Sequence, residues 1–308
     1  MGSELSSYLC EKDPEVTLFD VAFAWVGAYV VPLSMCMKSE DGAVKLRKNL
    51  KAKSRYDNKK QWTVETFEVT PTAKVLMHRR GSSKRLVVWF HGGGFTLGDA
   101  EDDYGQSLCA KLNVDFASVE YRLAPEAPFP AAVDDCKAAL AWVLDKYKDE
   151  YTISVAGVSA GANLALAAIL DNPTQHIHDV ALLYPFLNPN CDSKSFKKHG
   201  HRANFDDWLR WCWQVYKSTD KNLLPFEGGT DKATYPDVPT MVVTSRADPL
   251  RDDGIALVEH LKASGLSNVT HVEGRSNHGL MHIVDTAGAK TMFHTWKHRL
   301  FGENTEGS

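Results

Sequence analysis

The sequence predicts an α/β fold, a doubly wound and mostly parallel sheet flanked by helices. Two observations carry that expectation. Short β-like runs alternate with helical stretches at crossover spacing from residue 63 to residue 299. The runs Leu86–His91 and Ile153–Ala156 are continuously apolar, not alternating, as strands covered by helices on both faces must be.

In chain order the strand candidates are Thr63–Val69, Ala73–His78, Leu86–His91, Asp115–Tyr121, Ile153–Ala156, Val180–Tyr184, Thr240–Ser245 and Val269–Val272. Between them, Ala131–Lys148 sets Val133, Ala138, Ala139, Trp142 and Val143 at helical spacing, and Ala160–Leu170 is a small, apolar helix. Residues 254–264 and 286–299 complete the helical set. Between Pro185 and Pro239 no strand is legible. An aromatic helix runs there instead (Phe205, Trp208, Trp211, Trp213, Tyr216), in an insertion of the size from which lids are built. These boundaries divide the chain into N-terminal cap helices and linker at 1–55, a core at 56–187 and 236–302, an inserted cap at 188–235 and a tail at 303–308.

The chain has 308 residues, 44% hydrophobic and 24% charged, which is globular composition and excludes a disordered chain. With 35 Lys and Arg against 39 Asp and Glu, the net charge is −4. No basic excess is available to neutralise phosphates, so nucleic acid is not an expected partner. The basic stretch Lys38–Lys60 reads as a solvated helix and linker. Six cysteines at 10, 36, 109, 136, 191 and 212 form no CxxC and no secreted framework, which favours free, mostly buried thiols and a cytoplasmic location. The pairs His176/His178 and His199/His201 lack a neighbouring ligand set, so no metal is expected. One segment offers an alternative location. Val21–Cys36 is uncharged and, with Leu18 and Phe19, approaches the length of a membrane span. Asp20, Pro32 and Ser34 favour a buried or lid-forming helix over an anchor through 18–36.

The chemistry concentrates at three places. Strand Ile153–Ala156 runs into Gly157-Val-Ser159-Ala-Gly161 and then into an apolar helix, the strand–turn–helix context in which a serine is lifted above a sheet as a nucleophile. His91-Gly92-Gly93-Gly94-Phe95 follows another strand. Its glycines, with the amide of Ala160, would offer N–H groups to a developing oxyanion. A serine nucleophile also needs a base and an orienting carboxylate. His278 lies in a loop after the last strand, and Asp248 directly follows Thr240–Ser245. Asp252 and Asp253 rival Asp248 but fit better as caps of the following helix. His271 and His282 rival His278 from less suitable positions. Phe95, Trp208 and Trp211 are the candidate lining of a substrate pocket.

HGGGF (91–95), YRLAPE (121–126), FPAAVDD (129–135), GVSAG (157–161), WCWQVY (211–216), DPLRDDG (248–254) and NHGL (277–280) together resemble the hormone-sensitive-lipase-like branch of the α/β-hydrolases. That branch includes bacterial esterases, arylacetamide deacetylases and plant carboxylesterases. The resemblance spans roughly residues 60–300. It implies an α/β-hydrolase fold with a mostly parallel eight-stranded sheet and a helical cap. It further implies hydrolysis of short- to medium-chain carboxylic esters through an acyl-enzyme, without cofactor or metal, on Ser159, His278 and Asp248, with Gly93, Gly94 and Ala160 as oxyanion donors. Three positions depart from the pattern: Val158 stands where the family has Asp, Ala162 where it has Gly, and Leu280 where it has Phe. Two alternatives share the fold. One is a membrane-anchored amide or ester deacetylase acting on lipid-like substrates. The other is a non-catalytic small-ligand receptor, against which the presence of His278 argues. Oligomerisation is compatible with either.

Overall fold

In the computed structural model, eight strands form one sheet in the order β1-β2-β4-β3-β5-β6-β7-β8. They are β1 Thr63–Glu68, β2 Lys74–Arg79, β3 Arg85–Phe90, β4 Asp115–Glu120, β5 Thr152–Val158, β6 Ile177–Leu183, β7 Thr240–Ser245 and β8 Val269–Gly274. The helices among the described residues are α1 Asp103–Leu112, α2 Ala131–Tyr147, α3 Ala160–Asp171, α4 Lys194–His199, α5 Phe205–Tyr216, α6 Arg251–Ala263 and α7 Thr286–Phe301. The structure describes residues 62–81, 83–171, 176–201, 205–216, 237–279 and 286–302, together with 42, 44, 47, 235 and 281. The apolar segment 18–36, the tail 303–308 and much of the proposed cap boundary lie outside them. Among the described residues no helix is long and apolar enough to cross a membrane.

All eight expected strands are present. β1 and β2 are antiparallel to their neighbours, and every pair from β4 to β8 is parallel. The apolar runs have their physical reason in two separate cores. Leu86, Val88 and Phe90 of β3 pack on one face with α2, α3 and α6, while Val87 and Trp89 pack on the other with α1 and α7. Strands β5 to β7 split their residues in the same way: Val155, Val180 and Val242 face one core, and Ala156, Ala181 and Val243 face the other. With side chains of period two and both faces buried, these strands are apolar at most of their positions. Cys109, Cys136, Cys191 and Cys212 are buried thiols outside any disulfide, as expected.

Helix α1 was not legible from periodicity. Its buried face is short, Gly105, Leu108, Cys109 and Leu112, with a glycine among the four, and its stability comes from tertiary structure. The Asp102 carboxylate caps it by accepting from the amides of Tyr104 and Gly105, and also accepts a 2.8 Å hydrogen bond from Trp89 Nε1. A Cβ on Gly105 would press into the Trp89 indole, so glycine is required for α1 to approach β3.

The terminal helix is fixed by a buried ion pair. Arg299 Nε of α7 lies 2.6 Å from Asp179 Oδ1 of β6, and its Nη1 donates to Thr270 Oγ1 of β8. Burial raises the pKa of Asp179 to about 6 despite the facing guanidinium. Removing Arg299 strands a buried carboxylate, which typically costs about 3–5 kcal/mol. Arg299→Ala is therefore expected to lower unfolding stability by about that amount at pH 8. The penalty should shrink as pH falls from 8 toward 6, because without the lowering effect of Arg299 the Asp179 carboxyl takes up its proton above the value of about 6 it has beside the guanidinium, and protonation removes the unpaired charge. Chemical denaturation of both proteins at pH 5 and pH 8 measures the difference.

Candidate active site

The site is assembled at the carboxyl ends of the parallel strands, where α/β sheets present their chemistry. Ser159 sits between β5 and α3 with φ 57, a left-handed conformation that a residue with a Cβ adopts only when its surroundings impose it. Those surroundings are explicit. The Ser159 amide donates to Leu183 O at 2.8 Å, and its carbonyl accepts from Ala162 N and Phe186 N. A Cβ on Gly157 would meet the backbone of Gly161, and a Cβ on Gly161 would meet the carbonyl oxygens of Phe90 and His91. The two glycines thus permit the turn and let α3 start against the end of β3.

Asp248 and His278 come together from β7 and β8. Asp248 is fully buried, and its Oδ2 lies 2.8 Å from His278 Nδ1. Its Oδ1 accepts from Leu250 N at 2.7 Å, and Asn277 Oδ1 accepts from the His278 amide. An ionised carboxylate only accepts, so Nδ1 carries the proton and Nε2 is left as the basic nitrogen. The two loops are tied by Ala247 N to Ser276 O and by the Ser245 and Ser276 hydroxyls at 3.2 Å. Tyr184, which directly follows the carbonyl that holds Ser159, sets its ring edge-on to His278 with centroids 5.6 Å apart.

Local hydrogen bonds arrange the glycine loop. Tyr121 Oη donates to His91 O, and His91 Nδ1 lies 2.8 Å from Gly92 O. Gly93 O accepts from the amides of Thr96 and Leu97 and from Thr96 Oγ1. In a trans peptide the carbonyl and the N–H point in opposite directions. Holding the oxygens of Gly92 and Gly93 therefore turns the amides of Gly93 and Gly94 the other way. Among the described residues, the amides of Gly93, Gly94 and Ala160 donate to no backbone carbonyl. Gly92 lies against the nucleophile turn, where a Cβ would come 3.4 Å from Ser159 Cβ and 3.1 Å from Val158 O.

The rival residues have other roles. Asp252 and Asp253 do not cap α6: they lie in its first turn, and its N-cap is Leu250 without a side-chain bond. Asp252 Oδ2 accepts from Ser195 N of α4. Asp253 Oδ2 accepts from the amides of Leu187 and Asn188, where the chain leaves β6, and burial raises its pKa to about 7. His271 sits within β8 and bonds Thr244 Oγ1, and His282 lies outside the described residues. Among the described residues no group of His, Cys, Asp and Glu is arranged to hold a metal.

The three aromatic lining candidates separate. Trp208 reaches the glycine loop, since a Cβ on Gly94 would come 3.1 Å from its ring. Phe95 is instead a packing residue, fully buried and stacked 4.0 Å from Tyr216, with Phe186 and Trp213 around it. Trp211 is half-buried and packs against the core. Phe205, part of the aromatic helix but not among those three candidates, stacks on Trp208 and lies 5.6 Å from His278 between ring centroids. Periodicity alone could not select it from five aromatics.

A family model described as the α/β-hydrolase fold matches residues 87–282, and the chain belongs to that family, in its hormone-sensitive-lipase-like branch. Carboxylesterase NlhH of Mycobacterium tuberculosis is 32% identical over 218 residues, covering 65% of this chain and 67% of that protein. An arylesterase of Saccharolobus solfataricus is 33% identical over 198 residues, covering 60% and 64%. Among solved structures, ESTFA superposes with a TM-score of 0.75 at 28% identity, covering 92% of this chain and 97% of that one. A thermostable esterase from Pseudomonas putida ECU1011 shares the fold at a TM-score of 0.74 and 24% identity, covering 95% of this chain and 100% of that one.

The glycine loop yields a direct test. Gly94 has φ 60, and a Cβ there would run into Cys212 Sγ of α5. Gly94→Ala should lower kcat/KM for a small ester by about 100-fold, the scale of one misplaced oxyanion donor. Adding Cys212→Ala should recover part of the loss and not all, because it removes the clash and leaves the backbone strain. Steady-state kinetics of the single and double variants measure both effects.

Proposed function

We propose that this α/β-hydrolase is a serine carboxylesterase acting on short- to medium-chain esters. The observation that carries the reading is Ser159 held at φ 57 between β5 and α3, at the same end of the sheet as the 2.8 Å pair of Asp248 and His278. Relatives named carboxylesterase and arylesterase support the same class.

In this mechanism Ser159 Oγ attacks the ester carbonyl carbon while His278 Nε2 takes its proton. The carbonyl oxygen becomes an oxyanion facing the amides of Gly93, Gly94 and Ala160. Asp248 keeps the Nδ1 proton in place and stabilises the imidazolium. Collapse of the tetrahedral species breaks the bond to the alcohol oxygen, which leaves with the proton returned by His278. Water then repeats the sequence on the acyl-enzyme, with His278 again the base, and the acid departs as Ser159 recovers its proton.

Phe205 and Trp208, both buried, stand beside His278 and Gly94 and make this side of the site apolar. A wall of rigid aromatic rings suits small acyl or alcohol groups better than long flexible chains. Turnover of p-nitrophenyl esters from acetate to palmitate is expected to peak at the short end. Ser159→Ala should lower kcat by about 10⁶ if the triad acts as a unit. A loss below about tenfold would remove Ser159 as the nucleophile, and saturable binding without turnover in the wild type would favour a receptor.

A further inference from the structure

The basic stretch Lys38–Lys60 does not read as part of the site, yet one of its cations reaches it. Gly42, Val44 and Arg47 lie in helical backbone, and the Arg47 side chain is only 17% exposed. Its guanidinium makes four hydrogen bonds to the core. Nε donates to Thr96 O at 2.6 Å and Nη2 to Ala124 O at 2.6 Å, while Nη1 and Nη2 grip the Glu126 carboxylate at 2.7 and 3.0 Å. Burial works against the Glu126 charge, but Arg47 outweighs it and holds the carboxyl below its usual pKa range.

The acceptors are not scattered. Thr96 is the residue whose amide and hydroxyl hold Gly93 O, and so sets the direction of the Gly94 amide. Ala124 is tied to the same loop, because its amide donates to Phe95 O at 2.9 Å. Arg47 thus bridges the two carbonyls on either side of the glycine turn's support, and Glu126 fixes the angle of the bridge. A planar fork with five donors can span this set; an ammonium cannot.

We propose that Arg47 is a positioning residue for the oxyanion hole and controls the orientation of the Gly94 amide. The inference rests on the esterase reading above. It predicts a defect confined to the transition state, since a misaligned amide weakens the oxyanion more than the bound ester.

The experiment compares wild type, Ser159→Ala, Arg47→Met, Arg47→Lys and Glu126→Gln, all as full chains. It measures kcat and KM for p-nitrophenyl acetate, and inhibition by phenylboronic acid, whose serine adduct is tetrahedral and carries a negative charge. Arg47→Met should lose about tenfold or more in kcat and a similar factor in boronate affinity, with KM within about twofold. Arg47→Lys should rescue little of this, and Glu126→Gln should fall between wild type and Arg47→Met. Unchanged kcat and boronate affinity in Arg47→Met, in an enzyme that Ser159→Ala silences, would overturn the inference and leave the esterase reading intact. A rise in KM with boronate affinity unaltered would also overturn it, because Arg47 would then serve substrate access. Should Arg47→Met fail to fold, Glu126→Gln decides by the same two measurements. A wild type without turnover would remove the esterase reading and this inference together.

Discussion

The close backbone approach between the end of β3 and the start of α3 is the constraint on which the site depends. Gly161 lies so near the carbonyl oxygens of Phe90 and His91 that any side chain would separate them. This contact does two things. It leaves Ser159 in a strained φ that the amide and carbonyl bonds of the turn must hold, and it places the glycine loop after β3 beside the nucleophile turn. A strain of about 1–3 kcal/mol persists only where the surroundings over-determine it. Here they do: Leu183, Ala162 and Phe186 each bond the Ser159 backbone.

From that contact the rest of the site follows as a matter of bracing. The end of β6 supplies Leu183 O to the Ser159 amide and Tyr184 to His278, so one strand end braces both residues. The loops after β7 and β8 are joined by the serine pair and by Glu273, which binds both Arg246 and Arg251 at 3.0 and 2.7 Å. Asp252 and Asp253 extend the bracing to α4 and to the chain leaving β6. Asp253 shows what such bracing costs. Its carboxylate is desolvated enough to titrate near 7, even with two amides donating to it.

Much of this was legible in the sequence, and the reason is locality. Strands are read from runs of apolar residues, and GVSAG, HGGGF and the Asp248 and His278 loops each follow a strand by a few positions. What was not legible depends on residues far apart in the chain. Helix α1 buries only a short stripe, Leu108, Cys109 and Leu112, and is further held by its Asp102 cap and by Trp89. The roles of Asp252 and Asp253 come from partners about 60 residues away, so capping was the reading that local pattern favoured. Phe95 reads as pocket lining because it adjoins the glycines, but successive residues of a turn point in different directions, and its ring enters the aromatic core under Tyr216.

Arg47 sharpens the same point. Among the nine basic residues from Lys38 to Lys60 nothing marks one as buried, since charge patterning reports only the average face of a segment. Its role depends on Thr96, 49 positions away, and Glu126, 79 positions away. The glycine loop can form its own turn, with Thr96 and Leu97 bonding Gly93 O, but a loop closed only on itself keeps the freedom to tilt as a unit. Tyr121 holds its start through His91, and Arg47 holds its far end through Thr96. A donor aimed at a charge that exists only in the transition state must be held before that charge appears. Under the proposed mechanism, anchors at both ends, Tyr121 and Arg47, would supply that preorganisation.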